Sequence, residues 1–168
     1  MMKKIAFTFF IVTLLFSACT PHRALDHFSK NKHFERAMTS LQIGTLVNNL
    51  ETKAVLKVIY LNHVYQNQYQ ENENFFISLY IANEPYDDDK GGLNHKLYKL
   101  KLNDQNATSI TELSDDAPLR MEMPVTEKWS HYYHVVFAKQ ESNDLELTLT
   151  HKYQGTILLK YAKDELEK

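Results

Sequence analysis

The densest group of titratable side chains is His131-Tyr132-Tyr133-His134, two imidazoles three residues apart of the kind that build metal sites and acid–base pairs. Spacing decides against a shared ligand set. On a strand, residues 131 and 133 share one face and 132 and 134 the other, so His131 and His134 point to opposite sides of a sheet. A metal would have to draw on His63, His95 or His151 from elsewhere, and the stronger reading is of core or rim histidines. A second cluster, Glu84-Pro85-Tyr86-Asp87-Asp88-Asp89-Lys90-Gly91-Gly92, offers the hard oxygen ligands that calcium takes. Calcium loops alternate their ligands, whereas neighbouring aspartates diverge. The segment therefore reads first as a solvated turn and only second as a calcium site through Asp87 and Asp89. There is no Gly-x-Ser-x-Gly, no phosphate-cradling glycine loop and no His-Glu-x-x-His, and the chain has four glycines in all. No catalytic residue and no cofactor is implied.

The one thiol stands apart from all of this. Cys19 is the only cysteine, and it follows a leader that begins Met1-Met2-Lys3-Lys4, runs apolar from Ile5 to Phe16 and ends Ser17-Ala18. Twelve residues of helix span about 18 Å, well short of the roughly 30 Å hydrocarbon core, so the layout is that of an export signal and not of a spanning helix. Residues 1–20 resemble the bacterial lipoprotein signal, whose lipobox is cut before a cysteine. Ser17, Ala18 and Cys19 match it, with Phe16 where the family usually has Leu. The resemblance implies lipidation of Cys19, cleavage after residue 18, and a mature protein tethered to the membrane by acyl chains. It also explains an unpaired cysteine in an exported chain. Thr20 is not the Asp that favours inner-membrane retention in that family, so the resemblance points to the outer membrane.

Asp104-Gln105-Asn106-Ala107-Thr108 contains Asn-x-Thr, and the acidic residue two before Asn106 is similar to the longer acceptor preferred by the single-subunit bacterial oligosaccharyltransferase. Asn106 is thus a candidate glycosylation site. A plain Asx-rich turn accounts for the same residues equally well.

Removing the leader leaves 17 basic residues against 21 acidic, so no cationic surface dominates. Lys96, Lys99 and Lys101 alternate with apolar residues as the wet face of a strand does, and nucleic acid is not an expected partner. The mature length suits one domain with one core. Without a second cysteine, that core must come from apolar burial.

The elements that would position these groups are strands. Period-two alternation marks eight segments: around Leu41 and Ile43, Ala54 to Tyr60, Phe75 to Ile81, Tyr98 to Leu102, Leu119 to Val125, Tyr133 to Phe137, Leu145 to Leu149, and Ile157 to Tyr161. Pro124 marks the Leu119–Val125 segment as an edge strand. Hairpins are expected across Gln140-Glu141-Ser142-Asn143 and across Gln154-Gly155. With no long helical pattern between them, the strands predict a mainly β fold, a single antiparallel β-sandwich. Phe34, Ala37, Met38 and Leu41 recur at helical spacing, which predicts a short N-terminal helix. The organisation expected is a signal over 1–18, a lipidated tether over 19–33, the sandwich over 34–163 and a charged tail over 164–168. The function expected is that of a non-catalytic envelope lipoprotein, anchored through Cys19, that binds a protein partner in assembly or adhesion. A calcium- or glycan-binding module is one alternative, and a periplasmic hydrolase built on His131 or His134 is another.

Overall fold

Alternation between apolar and polar residues becomes strand in seven of the eight segments. The computed structural model describes residues 32–83 and 91–164, and among them helix α1 (Lys32–Ser40) leads into β1 (Leu41–Asn48) and β2 (Glu51–Tyr60). A short helix α2 (Leu61–Val64) precedes β3 (Asn72–Ile81). A 3-10 turn at Gly92–Asn94 then leads to β4 (Tyr98–Leu102), β5 (Gln105–Asn106) and β6 (Ser109–Glu112). Helix α3 (Pro118–Glu122) precedes β7 (His131–Ala138), β8 (Asp144–His151) and β9 (Gly155–Ala162).

All pairings are antiparallel, in one sheet ordered β1-β2-β3-β7-β6 and another ordered β5-β4-β8-β9. The two inner faces meet in a single apolar layer. Leu56, Val58, Phe75, Ile77, Tyr133 and Phe137 come from the first sheet, and Leu100, Leu102, Leu147, Leu149 and Leu159 from the second. This is the predicted β-sandwich. Along one open side β1 leans on β9, where the Gln42 amide donates to the Lys160 carbonyl. A Cβ on Gly44 would lie 2.2 Å from Ile157, so glycine is what lets the two edges approach.

A carboxylate is built into this interior. The Glu73 carboxylate, 2 % exposed, accepts from Tyr60 Oη and from the Gln140 backbone N–H at 2.9 Å, and pairs with Lys163 Nζ at 2.7 Å. Burial alone would push its pKa up. The Lys163, Tyr60 and Gln140 hydrogen bonds, with the Lys163 charge, outweigh that and hold it below the usual carboxylate range. The cluster ties the last strand to the first sheet.

The outer face of the five-stranded sheet is covered by segments that are mostly not strand. Ala37 from α1, Leu61 and Val64 from α2, and Met123 and Val125 after α3 pack on Ile59, Phe76 and Tyr132. The expected edge strand over Leu119–Val125 is here replaced by α3. Pro118 sits in the first turn, where its fixed φ suits a helix and its missing N–H costs nothing, and Met121 projects into solvent. Only Met123 and Val125, beyond the helix, are buried. Two expectations about connections also change. β5 and β6 lie in exposed, polar sequence with no alternation to announce them. Gln140–Asn143 does not close a hairpin, because β7 and β8 belong to different sheets and the chain crosses the sandwich there. The hairpin across Gln154 is present, joining β8 to β9.

Candidate functional site

At one end of the five-stranded sheet β3 finishes, β6 finishes and β7 begins, and the connection from Leu113 to Ser130 arches over that end. Between them lies a cleft of about 730 Å³, lined by residues that include Tyr80, Glu112, Asp115, Arg120, Trp129 and His131. Each is held by a different local device. Glu112, the last residue of β6, is in register with Tyr133, which sets its carboxylate diagonally across from His131 on the same face. His131 Nδ1 lies 2.9 Å from Glu112 Oε1, and the imidazole stacks on Tyr133 with ring centroids 6.3 Å apart. A carboxylate on Nδ1 fixes the tautomer that places a proton there.

Arg120 is set by two contacts. Its guanidinium pairs with Asp115 and lies 4.0 Å over the Tyr132 ring. Tyr132 in turn donates from Oη to the Glu127 carbonyl at 2.8 Å, and burial pushes its phenol above the ordinary range. Lys57 on β2 pairs with the Glu127 carboxylate, so the arch is tied to the sheet beneath it. Trp129 stands at the cleft 75 % exposed, and Tyr80 is partly exposed beside it. A large indole left in water on a well-tied segment is the kind of surface that a partner covers.

His131 and His134 fall on opposite faces of β7, as the strand period requires. His134 Nε2 lies 3.1 Å from Asn74 Oδ1, its ring is near Tyr69, and burial lowers its pKa. His63 is buried against the Tyr60 ring, with Nε2 3.2 Å from the Lys163 carbonyl. His95 and His151 share a separate pocket. Among the described residues no three His, Cys, Asp or Glu side chains group to hold a metal. Asn106 is exposed on β5, and its neighbour Thr108 donates from Oγ1 to the Val136 carbonyl at 2.9 Å. Cys19, Asp87 and Asp89 lie outside the described residues.

Arg120, Glu112, Tyr80 and Trp129 were not singled out by pattern. Trp129 did carry a signal, as the only tryptophan in the chain and one set in the polar run Thr126-Glu127-Lys128-Trp129-Ser130. An aromatic residue without apolar neighbours in period has no core to fill. Fold and cleft together describe a two-sheet β-sandwich with an aromatic, mixed-charge recess at one end. No family model, no curated protein and no solved structure matches the chain.

Proposed function

We propose that this chain is an exported lipoprotein of the bacterial envelope, tethered to the outer membrane through lipid on Cys19, whose β-sandwich binds a protein partner at the Trp129 cleft without performing chemistry. The anchor rests on the leader and on Ser17-Ala18-Cys19. The observation that carries the binding role is Trp129, 75 % exposed beside Tyr80 and Arg120. Trp, Tyr and Arg are the residue types that dominate protein interfaces, because they bring large area and few rotors to a desolvated contact. A photo-crosslinking amino acid at Trp129 in the full chain, expressed in its native host, is expected to give one discrete adduct that Arg120→Ala diminishes. The absence of a discrete adduct overturns the reading. Cys19→Ala is expected to release the protein from the membrane fraction, and unchanged partition defeats the anchor.

One observation favours a second reading. The His131–Glu112 pair faces the cleft at 2.9 Å, an arrangement that orients an imidazole for general-base work in a hydrolase. The two readings part at His131→Gln, which leaves the Trp129 adduct intact if the cleft only binds. It would abolish turnover if the cleft were catalytic.

A further inference from the structure

A second, smaller pocket of about 170 Å³ opens where β3 ends, lined by residues that include Lys53, Asn83, His95, His151 and Gln154. It shares Ile81 and Asn83 with the Trp129 cleft. His95 lies in the connection before β4 and His151 ends β8. The β4–β8 register places Tyr98 opposite His151, so one tyrosine ring packs both imidazoles, at 4.7 Å from His151 and 6.1 Å from His95.

The same local device fixes both tautomers. The Leu97 backbone N–H donates to His95 Nδ1 at 3.3 Å, and the Tyr153 backbone N–H donates to His151 Nδ1 at 3.2 Å. An imidazole whose Nδ1 accepts carries its proton on Nε2, so each ring offers one N–H donor at its far end. Among the described residues neither Nε2 has a hydrogen-bond partner, although His151 is only 7 % exposed. No fully buried side-chain nitrogen or oxygen among the described residues lacks a partner. The two Nε2 atoms are therefore reachable, and the space the rings share is this pocket. Lys53 adds an ammonium, and the Asn83 and Gln154 amides add further donors. The described lining contains no carboxylate; the nearest to Lys53 is its exposed neighbour Glu51, with which it pairs.

We propose that this pocket binds a small tetrahedral oxyanion of the phosphate or sulfate type, held by the Nε2–H groups of His95 and His151 and by the Lys53 ammonium. Donors arriving from β2, from the connection before β4 and from the end of β8 suit an acceptor with several oxygens at wide angles. A transition metal fits less well. It would need the Nε2 lone pairs, and so both rings in the opposite tautomer with both backbone hydrogen bonds given up. Burial, and then the neighbouring His95, lower the His151 pKa, which keeps that ring neutral until an anion offsets the cost of charging it.

The test is long-range imidazole ¹⁵N NMR on the full chain at constant ionic strength, titrated with inorganic phosphate. The expected result is saturable movement of two ring systems, lost in His95→Gln, with the other six histidines unmoved. Lys53→Met, which keeps the aliphatic stem, is expected to weaken binding at least about tenfold. His95 is partly exposed, so its replacement leaves the Tyr98–His151 packing in place even if His151→Gln fails to fold. Two outcomes overturn the proposal. One is no movement, or equal movement of every histidine. The other is a pair that ignores phosphate but shifts on Zn²⁺ alone, with Nε2 changing from protonated to ligating.

Discussion

The two faces of the five-stranded sheet are built by opposite means. Its inner face meets the second sheet through regularly alternating Phe, Tyr, Leu, Ile and Val side chains, and almost everything it touches is strand. Its outer face is covered by α1, by the residues around α2, and by the arch from Leu113 to Ser130, held by single anchors such as Met123, Val125 and the Arg120–Tyr132 stack. The first arrangement gives stability and opens only at its end, where the His95–His151 pocket lies. Irregular covering cannot seal a twisted sheet to its end, and at that end the arch leaves the Trp129 cleft. Stability therefore resides between the sheets, and the proposed recognition at the end of the strands, where the outer covering stops. Substitutions should separate them.

The largest effect is expected on the inner face. Phe137 is fully buried, with its ring edge-on to Phe75 at 5.9 Å, and Phe137→Ala should cost about 3–5 kcal/mol in urea unfolding of the full chain. Protein that remains folded should still give the Trp129 adduct. A loss of adduct in that folded fraction would show the two faces to be coupled. The buried carboxylate comes next. Glu73→Ala leaves the Tyr60 hydroxyl and the Gln140 N–H without their acceptor and Lys163 without its counter-charge, and should cost about 3 kcal/mol at neutral pH. Its sign with pH follows from the lowered folded-state pKa. The contribution is fully present above the ordinary carboxylate value of about 4.3 and is lost as pH falls through the lower folded value. His134 and His151, both lowered, act in the same direction from about pH 6.5 downward, because only the unfolded chain takes up their protons there. Denaturation midpoints in acid should therefore fall in two stages, with Glu73→Gln flattening the lower one.

The same division explains what could be read before folding. The inner face was legible because a strand buried on one side must alternate, and Phe75 to Ile81, Leu145 to Leu149 and Ile157 to Tyr161 do so. The helical spacing of Phe34, Ala37 and Met38 likewise became α1. The outer face was illegible for a physical reason. Its anchors are single residues whose neighbours answer to solvent, so Leu119 to Val125 alternates without being a strand, and Pro118, which starts a helix there, decided the matter. Of the cleft, His131 was legible, and so was its separation from His134 by the strand period. Glu112 was not, since β6 is exposed at every position and its register comes only from pairing with β7. Arg120 and Trp129 come to line one cleft through the arch, and no local pattern encodes that placement.

On the outer face the ratio of effects should invert. Arg120→Ala removes a guanidinium that stacks on Tyr132 and pairs with the exposed Asp115, a change worth about 1–2 kcal/mol of stability. Its effect on the Trp129 adduct should be much larger than that of Phe137→Ala in protein that remains folded. If Arg120→Ala unfolds the protein as severely as Phe137→Ala, the arch is core and the division between faces fails.

The smallest effect is expected far from both clusters, and it has the opposite sign. β1 and β2 are joined by Asn49 and Leu50, both at positive φ (53° and 63°), which is the two-residue turn whose twist matches that of the strands. Asparagine tolerates that region. A leucine there sets its Cβ against the following carbonyl, at a cost of roughly 1–2 kcal/mol. The matching turn between β4 and β5 uses Asn103 and Asp104, at 45° and 64°, both residue types that adopt this conformation more readily. Leu50 is 99 % exposed, so its side chain repays nothing through burial. Leu50→Gly should therefore relieve the strain and lose only the extra backbone entropy of glycine, a net gain of about 0.5–1 kcal/mol seen as a higher urea midpoint. Asp104→Gly should gain no more than a few tenths, because little strain is present to relieve. Equal gains at the two turns would mean that positive φ strains any residue with a Cβ alike, and that the leucine side chain does not set the balance.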